Sequence, residues 1–101
     1  MSRIFPSRFT KGQMELQKIL EDIGLETILE YERGHYKIDI FCPEGGECGA
    51  GFEFDGPFHH KNRDNKRDKK IFDDFGIRIF RVKNLKDPEL VNKIKGFISE
   101  S

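Results

Sequence analysis

The chain has 101 residues, the size of one compact domain and too short for two ordinary cores. Charged residues make up 36% and balance to a formal net charge of zero, so overall charge gives no reason to expect a polyanionic partner. Such a partner has to be argued from local patches. No stretch approaches the length of a membrane span and the first residues form no apolar signal run, so a soluble cytoplasmic protein is expected. Two cysteines make no disulfide framework, and ten phenylalanines supply much of the core.

Residues 1–9 mix basic and aromatic side chains, and Thr10 is a plausible helix cap. Met14, Leu16, Ile19, Leu20 and Ile23 recur at mostly helical spacing, and Gly24 terminates the run, which predicts a helix over 11–23. Residues 25–32 alternate loosely and predict a strand with Thr27, Leu29 and Tyr31 on one face. After a turn at Arg33, Gly34 and His35, residues 36–41 alternate and predict a second strand. Residues 43–47 form a turn by composition, and 51–55 predict a third strand ended by Gly56 and Pro57.

A second helix is expected over 61–75, closing before Gly76, with Ile71, Phe72 and Phe75 as its buried stripe. Residues 77–82 predict a fourth strand. A last helix opens at Asp87 with Pro88 in its first position and Leu90, Val91, Ile94, Phe97 and Ile98 as its apolar face. The order αβββαβα implies an α/β (α+β) fold with a mixed sheet and flanking helices. The third and fourth strands, joined by a helical crossover, should be parallel.

Two strands carry a carboxylate in an apolar interior: Asp39 between Ile38 and Ile40, and Glu53 between Phe52 and Phe54. Adjacent antiparallel strands lie about 5 Å apart, so two such acids on one face can converge on a hard cation, for which Mg²⁺ or Mn²⁺ is expected. The competing reading is a pair of solvated acids on a half-exposed sheet. Beyond Glu53 come Asp55, His59 and His60. Histidines at a strand end can move protons at neutral pH, although adjacent histidines on a loop are often only exposed. Stepping back along the stripe of the second helix reaches Asp68 and Asp64 on its inward side, where Asp68 can orient an imidazole or bind metal. Acids also favour helix N-termini through the macrodipole.

Over residues 61–70, six basic residues (Lys61, Arg63, Lys66, Arg67, Lys69 and Lys70) oppose two acids, a local charge of +4. That excess suits a phosphate backbone, and a solvated lysine-rich face is the bland alternative. Arg3, Arg8 and Lys11 add to the patch if the first residues fold nearby.

Taken together, Ile38, Asp39 and Ile40, the block from Phe52 to His59, the pair Arg67 and Asp68, and the strand from Gly76 to Val82 resemble the PD-(D/E)xK nuclease superfamily. The narrower resemblance is to its EDxHD branch of very-short-patch repair endonucleases and phage intron-encoded homing endonucleases. It covers most of the chain, from the first helix to the fourth strand. It implies a restriction-endonuclease-like fold, metal-dependent hydrolysis of double-stranded DNA, and a bacterial or phage-infected host. Asp39 would be the metal-binding strand acid, and Glu53 and Asp55 the (D/E)xK pair with Asp55 where a lysine is common. His59 or His60 would be the signature histidine and Asp68 the last acid.

The resemblance also implies a glutamate in the first helix, at the position of Gln13. Gln is its uncharged isostere. The site is then weakened or inactivated, or Glu15 or another acid substitutes, although Glu15 points to a different helix face. Some repair enzymes of this branch carry structural zinc, but Cys42 and Cys48 offer only two thiolates and are read as free thiols. Sequence-specific recognition normally needs more surface than 101 residues give, so a second copy or an added DNA-binding domain is expected. A nucleic-acid-binding module with a degenerate site is the alternative from another class.

Overall fold

A computed structural model describes residues 11–55 and 61–100, with the backbone alone for 61–64. The elements are α1 (Lys11–Ile23), β1 (Ile28–Arg33), β2 (Tyr36–Cys42), β3 (Ala50–Phe54), α2 (Lys61–Phe75), β4 (Arg78–Val82) and α3 (Leu90–Ser99). The fold is α+β: three helices and one mixed sheet in the order β1-β2-β3-β4. β1, β2 and β3 form an antiparallel meander, and β3 pairs parallel with β4 across the α2 crossover, as the element order predicts. No helix among the described residues is long and apolar enough to cross a membrane.

Both long helices stop at glycine. Gly24 takes a φ of 106°, its N–H bonds to the Glu21 carbonyl, and the Leu25 N–H reaches back to Leu20. Gly76 has a φ of 74° and closes α2 through a single bond to the Phe72 carbonyl. These left-handed caps satisfy the last carbonyls where a β-carbon would be strained.

Two apolar layers sandwich the sheet. On one side Leu16 and Leu20 of α1 and Leu90 and Ile94 of α3 pack on Ile40, Cys42, Ala50, Phe52 and Val82. On the other, Ile71 of α2 packs with Ile38, Phe41 and Ile77, flanked by Tyr31, Tyr36, Phe75 and Ile79. Strand alternation sends Glu53 and Arg81 to the α2 side.

Several sequence expectations are corrected. Phe72 is 51% exposed and lies off the buried stripe of α2, which Ile71 carries with the half-buried Phe75. Val91 is likewise exposed. α3 begins at Leu90, and Pro88 lies in the preceding turn. There Asp87 accepts the Glu89 N–H at 2.9 Å and pairs with Lys93 at 2.7 Å, so the ordering group is the aspartate two residues earlier. Leu29 and Tyr31 do not share a face: Leu29 packs toward α1 and α3, and Tyr31 stacks on Phe41 on the α2 side. Between them Glu30 takes a φ of 52°, a left-handed turn of the backbone that breaks the two-residue repeat. Opposite it, Ile38 and Ile40 switch faces across Asp39 in the same way. Thr10 lies outside the described residues.

Candidate active site

The strand registers put four polar side chains in one row. Leu29↔Ile40 and Tyr31↔Ile38 leave Glu30 across from Asp39, Ile40↔Phe52 sets Asp39 across from Glu53, and Glu53 pairs with Arg81. The row runs through the face switch of β1 and β2 and then along the α2 side of β3 and β4. Gln13, near the start of α1, closes over one end, and Arg67 and Asp68 of α2 close over the other.

Gln13 is 4% exposed. Its Nε2 donates to Glu30 Oε2 at 3.1 Å and to the Asp39 carbonyl at 3.2 Å. Glu30 also pairs with Lys37 at 3.7 Å. The Asp39 N–H reaches Glu53 Oε2 at 3.4 Å, and the Phe54 N–H bonds to the Asp39 carboxylate. Burial raises the Asp39 pKa, and Glu30 raises it further against the opposing pull of Phe54, Arg67 and Arg81. Burial and then the Asp39 charge likewise raise Glu53, despite its bond to Arg67. Desolvation is thus the main force against the charge of each acid of the facing pair, and the two arginines oppose it.

Two arginines hold the rest. Arg81 forks onto Asp68 through Nε and Nη2, both at 2.8 Å, and its Nη1 bonds Asp55 at 2.8 Å and lies 3.6 Å from Glu53. Burial works against its charge, but the bonds to Asp68 and Asp55 prevail and hold its pKa above the ordinary value. Arg67 Nη2 bonds Glu53 at 3.1 Å and also donates to the Lys37 carbonyl. Its Nη1 is 3.5 Å from Asp68 and has no hydrogen-bond acceptor among the described residues.

No family model matches this chain, and no curated protein matches it significantly.

Of the residues singled out from the sequence, the structure brings together Gln13, Asp39, Glu53, Asp55, Arg67 and Asp68. It gives three of them partners other than those expected. Asp55 and Asp68 both turn to Arg81, and Arg67, expected on the outer phosphate-facing flank, turns inward to Glu53. Lys66 and Lys70 stay exposed, and Glu15 is exposed away from the cluster. His59 and His60 lie outside the described residues, as do Arg3 and Arg8 and the side chains of Lys61, Arg63 and Asp64.

Sequence reasoning missed Glu30 and Arg81. Glu30 has no local signature, because its place beside Asp39 depends on hairpin register and on the left-handed backbone at one residue. Arg81 had a signal: a charged residue at an inward position of an alternating strand, paired by a parallel crossover with Glu53.

Among the described residues, no group of three or more histidine, cysteine or acidic side chains gathers around a point that could hold a metal ion. A Mg²⁺ or Mn²⁺ ion needs fewer protein ligands than that, since one or two carboxylates plus water and phosphate suffice. Asp39, half-buried, and Glu53, buried, fit that demand as oxygen donors on facing strands. The cysteines are free, Cys42 buried and Cys48 exposed.

Proposed function

We propose that this chain is the catalytic domain of a metal-dependent DNA endonuclease that hydrolyses phosphodiester bonds. The observation that carries the reading is the facing pair on adjacent strands, a half-buried Asp39 and a buried Glu53, whose pKa values are raised by desolvation and by neighbouring acids. Two facing acids whose charge is disfavoured by desolvation and by one another would be stabilised by a divalent cation held between them. The likeness of the same residues to the PD-(D/E)xK pattern, and specifically to the homing-endonuclease and mismatch-repair branch, adds support.

In this reading Asp39 and Glu53 hold Mg²⁺ or Mn²⁺. Bound there, the ion supplies a Lewis acid for the phosphate oxygen and lowers the pKa of water for attack. Arg67 steers Glu53 and stands beside the exposed lysines of α2, where a phosphate backbone would pass. Gln13 holds the Asp39 backbone and Glu30 in place through its amide. His59 or His60 is the proposed proton carrier, and double-stranded DNA the proposed partner. The work of recognition is shared with a second copy or another DNA-binding domain.

The second reading, a nucleic-acid-binding module with a degenerate site, is favoured by one observation. Arg81 already neutralises Asp55 and Asp68, and the helix position nearest Asp39 carries the neutral Gln13. The deciding test is nicking of supercoiled plasmid with Mg²⁺ against EDTA, using this chain, Asp39→Ala and Gln13→Glu. Nicking that needs both metal and Asp39 establishes the nuclease, and a gain in Gln13→Glu marks that position as a missing acid. Salt-sensitive DNA binding with no nicking by any form would support the binding module instead.

A further inference from the structure

We propose that the cleft between α2 and the start of β2 is a nucleotide subsite that takes one phosphate and one unpaired base of the substrate strand. The proposal rests on the nuclease reading for its position relative to the cut, and it narrows the substrate to DNA with an unpaired nucleotide beside the cleaved bond.

The cleft has a volume of about 540 Å³ and is lined by Tyr36, Lys66, Arg67, Lys69, Lys70 and Asp73. Four cations face one carboxylate. Lys69 and Asp73 satisfy one another at 2.8 Å and Arg67 is turned inward to Glu53, which leaves Lys66 and Lys70 as the positive wall. Lys66 and Lys70 are four residues apart, so they stand one above the other on the same helix face. Lining the same cleft is a half-buried aromatic ring. Tyr36 is held edge-on to Phe75, with centroids 6.2 Å apart at 82°. Cations and an aromatic ring lining one cleft supply what a nucleotide uses, a site for the phosphate and a ring for the base.

The cleft adjoins the carboxylate site through one shared side chain, Arg67. Arg67 lines the cleft and also bonds Glu53 and the carbonyl of Lys37, the neighbour of Tyr36. Along β2, Tyr36 precedes Asp39 by three residues, about 10 Å. One strand can therefore lie in the cleft and still present its next phosphodiester to Asp39 and Glu53. A duplex keeps its bases stacked inside and would offer this concave surface phosphates alone, leaving the tyrosine wall unused. An acidic peptide would satisfy the lysines but brings no ring for Tyr36.

The test is binding of the full chain, in EDTA, to fluorescently labelled single-stranded oligothymidylate across a salt series. Polyglutamate and a duplex of equal length serve as competitors. Tyr36→Leu is expected to weaken binding about fivefold or more, the loss of one stacked base, whereas Tyr36→Phe, which keeps the ring, binds as the unmodified chain does. Combined Lys66→Ala and Lys70→Ala is expected to flatten the salt dependence by about one unit of slope for each phosphate no longer neutralised. Because Tyr36 also packs on Phe75, the thermal unfolding of each variant is measured alongside, and the exposed lysine pair gives an independent reading if Tyr36→Leu is unfolded. Unchanged affinity in folded Tyr36→Leu, an unchanged salt slope in the lysine variant, or equal competition by polyglutamate would each overturn the subsite. Failure of the nuclease reading is separate: it appears as absent metal-dependent nicking while these binding differences persist.

Discussion

Asp39 and Glu53 are disfavoured as charged groups, which in the proposed reading is what a bound cation would offset. Both carboxyls are held above their ordinary values, 3.8 and 4.5, with burial as the largest cause. The folded state therefore binds their protons more tightly than the unfolded chain does. Stability from this source is fully present below those ordinary values and is lost as pH rises through the raised ones. Without metal, Asp39→Asn should consequently unfold at a higher temperature than the unmodified chain at neutral pH. The gap should close as pH falls below 3.8. Added Mg²⁺ should raise the melting temperature of the unmodified chain and leave Asp39→Asn unmoved. Scanning calorimetry with and without metal at two pH values reads all three outcomes.

Gln13 gives the complementary case. Its amide donates two bonds into a region already occupied by Glu30 and Asp39. Gln13→Glu removes both donors and adds a third negative charge, so in EDTA it should destabilise the fold by about 1–3 kcal/mol. Mg²⁺ should recover part of that loss if the added acid joins the metal site. Chemical denaturation in EDTA and in Mg²⁺ measures the difference, and equal stability of the two proteins in EDTA would remove the role given to the amide.

At the scale of elements, the site depends on how α1 meets the sheet. A β-carbon at Gly12 would lie 2.4 Å from the Phe54 ring, so α1 approaches β3 through a residue without a side chain. Gly12 immediately precedes Gln13, and the same approach lets the Gln13 amide reach the Asp39 carbonyl. Gly12→Ala should cost about 1–3 kcal/mol of stability through overpacking, despite the better helix propensity of alanine. On the proposed nuclease reading it should also weaken cleavage more than its stability loss explains, because it lifts Gln13 away from β2. Comparing Gly12→Ala with the exposed-site control Lys18→Ala, by urea melts and plasmid nicking, separates the two effects. α2 performs the matching task on the other side, where Ile71 anchors it and Asp68 and Arg67 reach Arg81 and Glu53.

For the molecule as a whole, the two cysteines report on opening of the core. Cys42 is fully buried against the α1 and α3 layer, and burial, with Glu44 second, pushes its thiol up to about 12. Cys48 is exposed. A thiol reagent at about pH 8 should modify Cys48 rapidly in the native protein and reach Cys42 only at the rate of global opening. Two fast equivalents in native buffer would mean that the core around Cys42 is open. Charge is also organised at this scale: the net charge is zero, yet residues 61–70 carry six basic residues against two acids. If the proposed DNA partner binds, its affinity should therefore fall with salt through α2 and not through the molecule's total charge.

The element order, the extents of α1 and α2, the parallel pairing of β3 with β4, and the inward side of Asp68 on α2 were legible in the sequence, whereas the direction of Asp39 and Glu53 was left open between a shared site and a solvated face. The legible features follow from local rules: helical and strand periods, glycine caps, and the geometry of a βαβ crossover. Tertiary structure alone decided which charges meet. Phe72 and Val91 fit apolar periodicity yet lie outside the core, because the width of the buried stripe depends on how closely the sheet approaches. Asp55 and Asp68 turned to Arg81, and Arg67 turned to Glu53, because buried acids take the nearest available cation, and nearness across elements is not written in spacing along the chain. Glu30 became visible only through the hairpin register and a left-handed backbone at one residue. That backbone moves a side chain to a different place in the sheet without any change in the surrounding pattern of residue types.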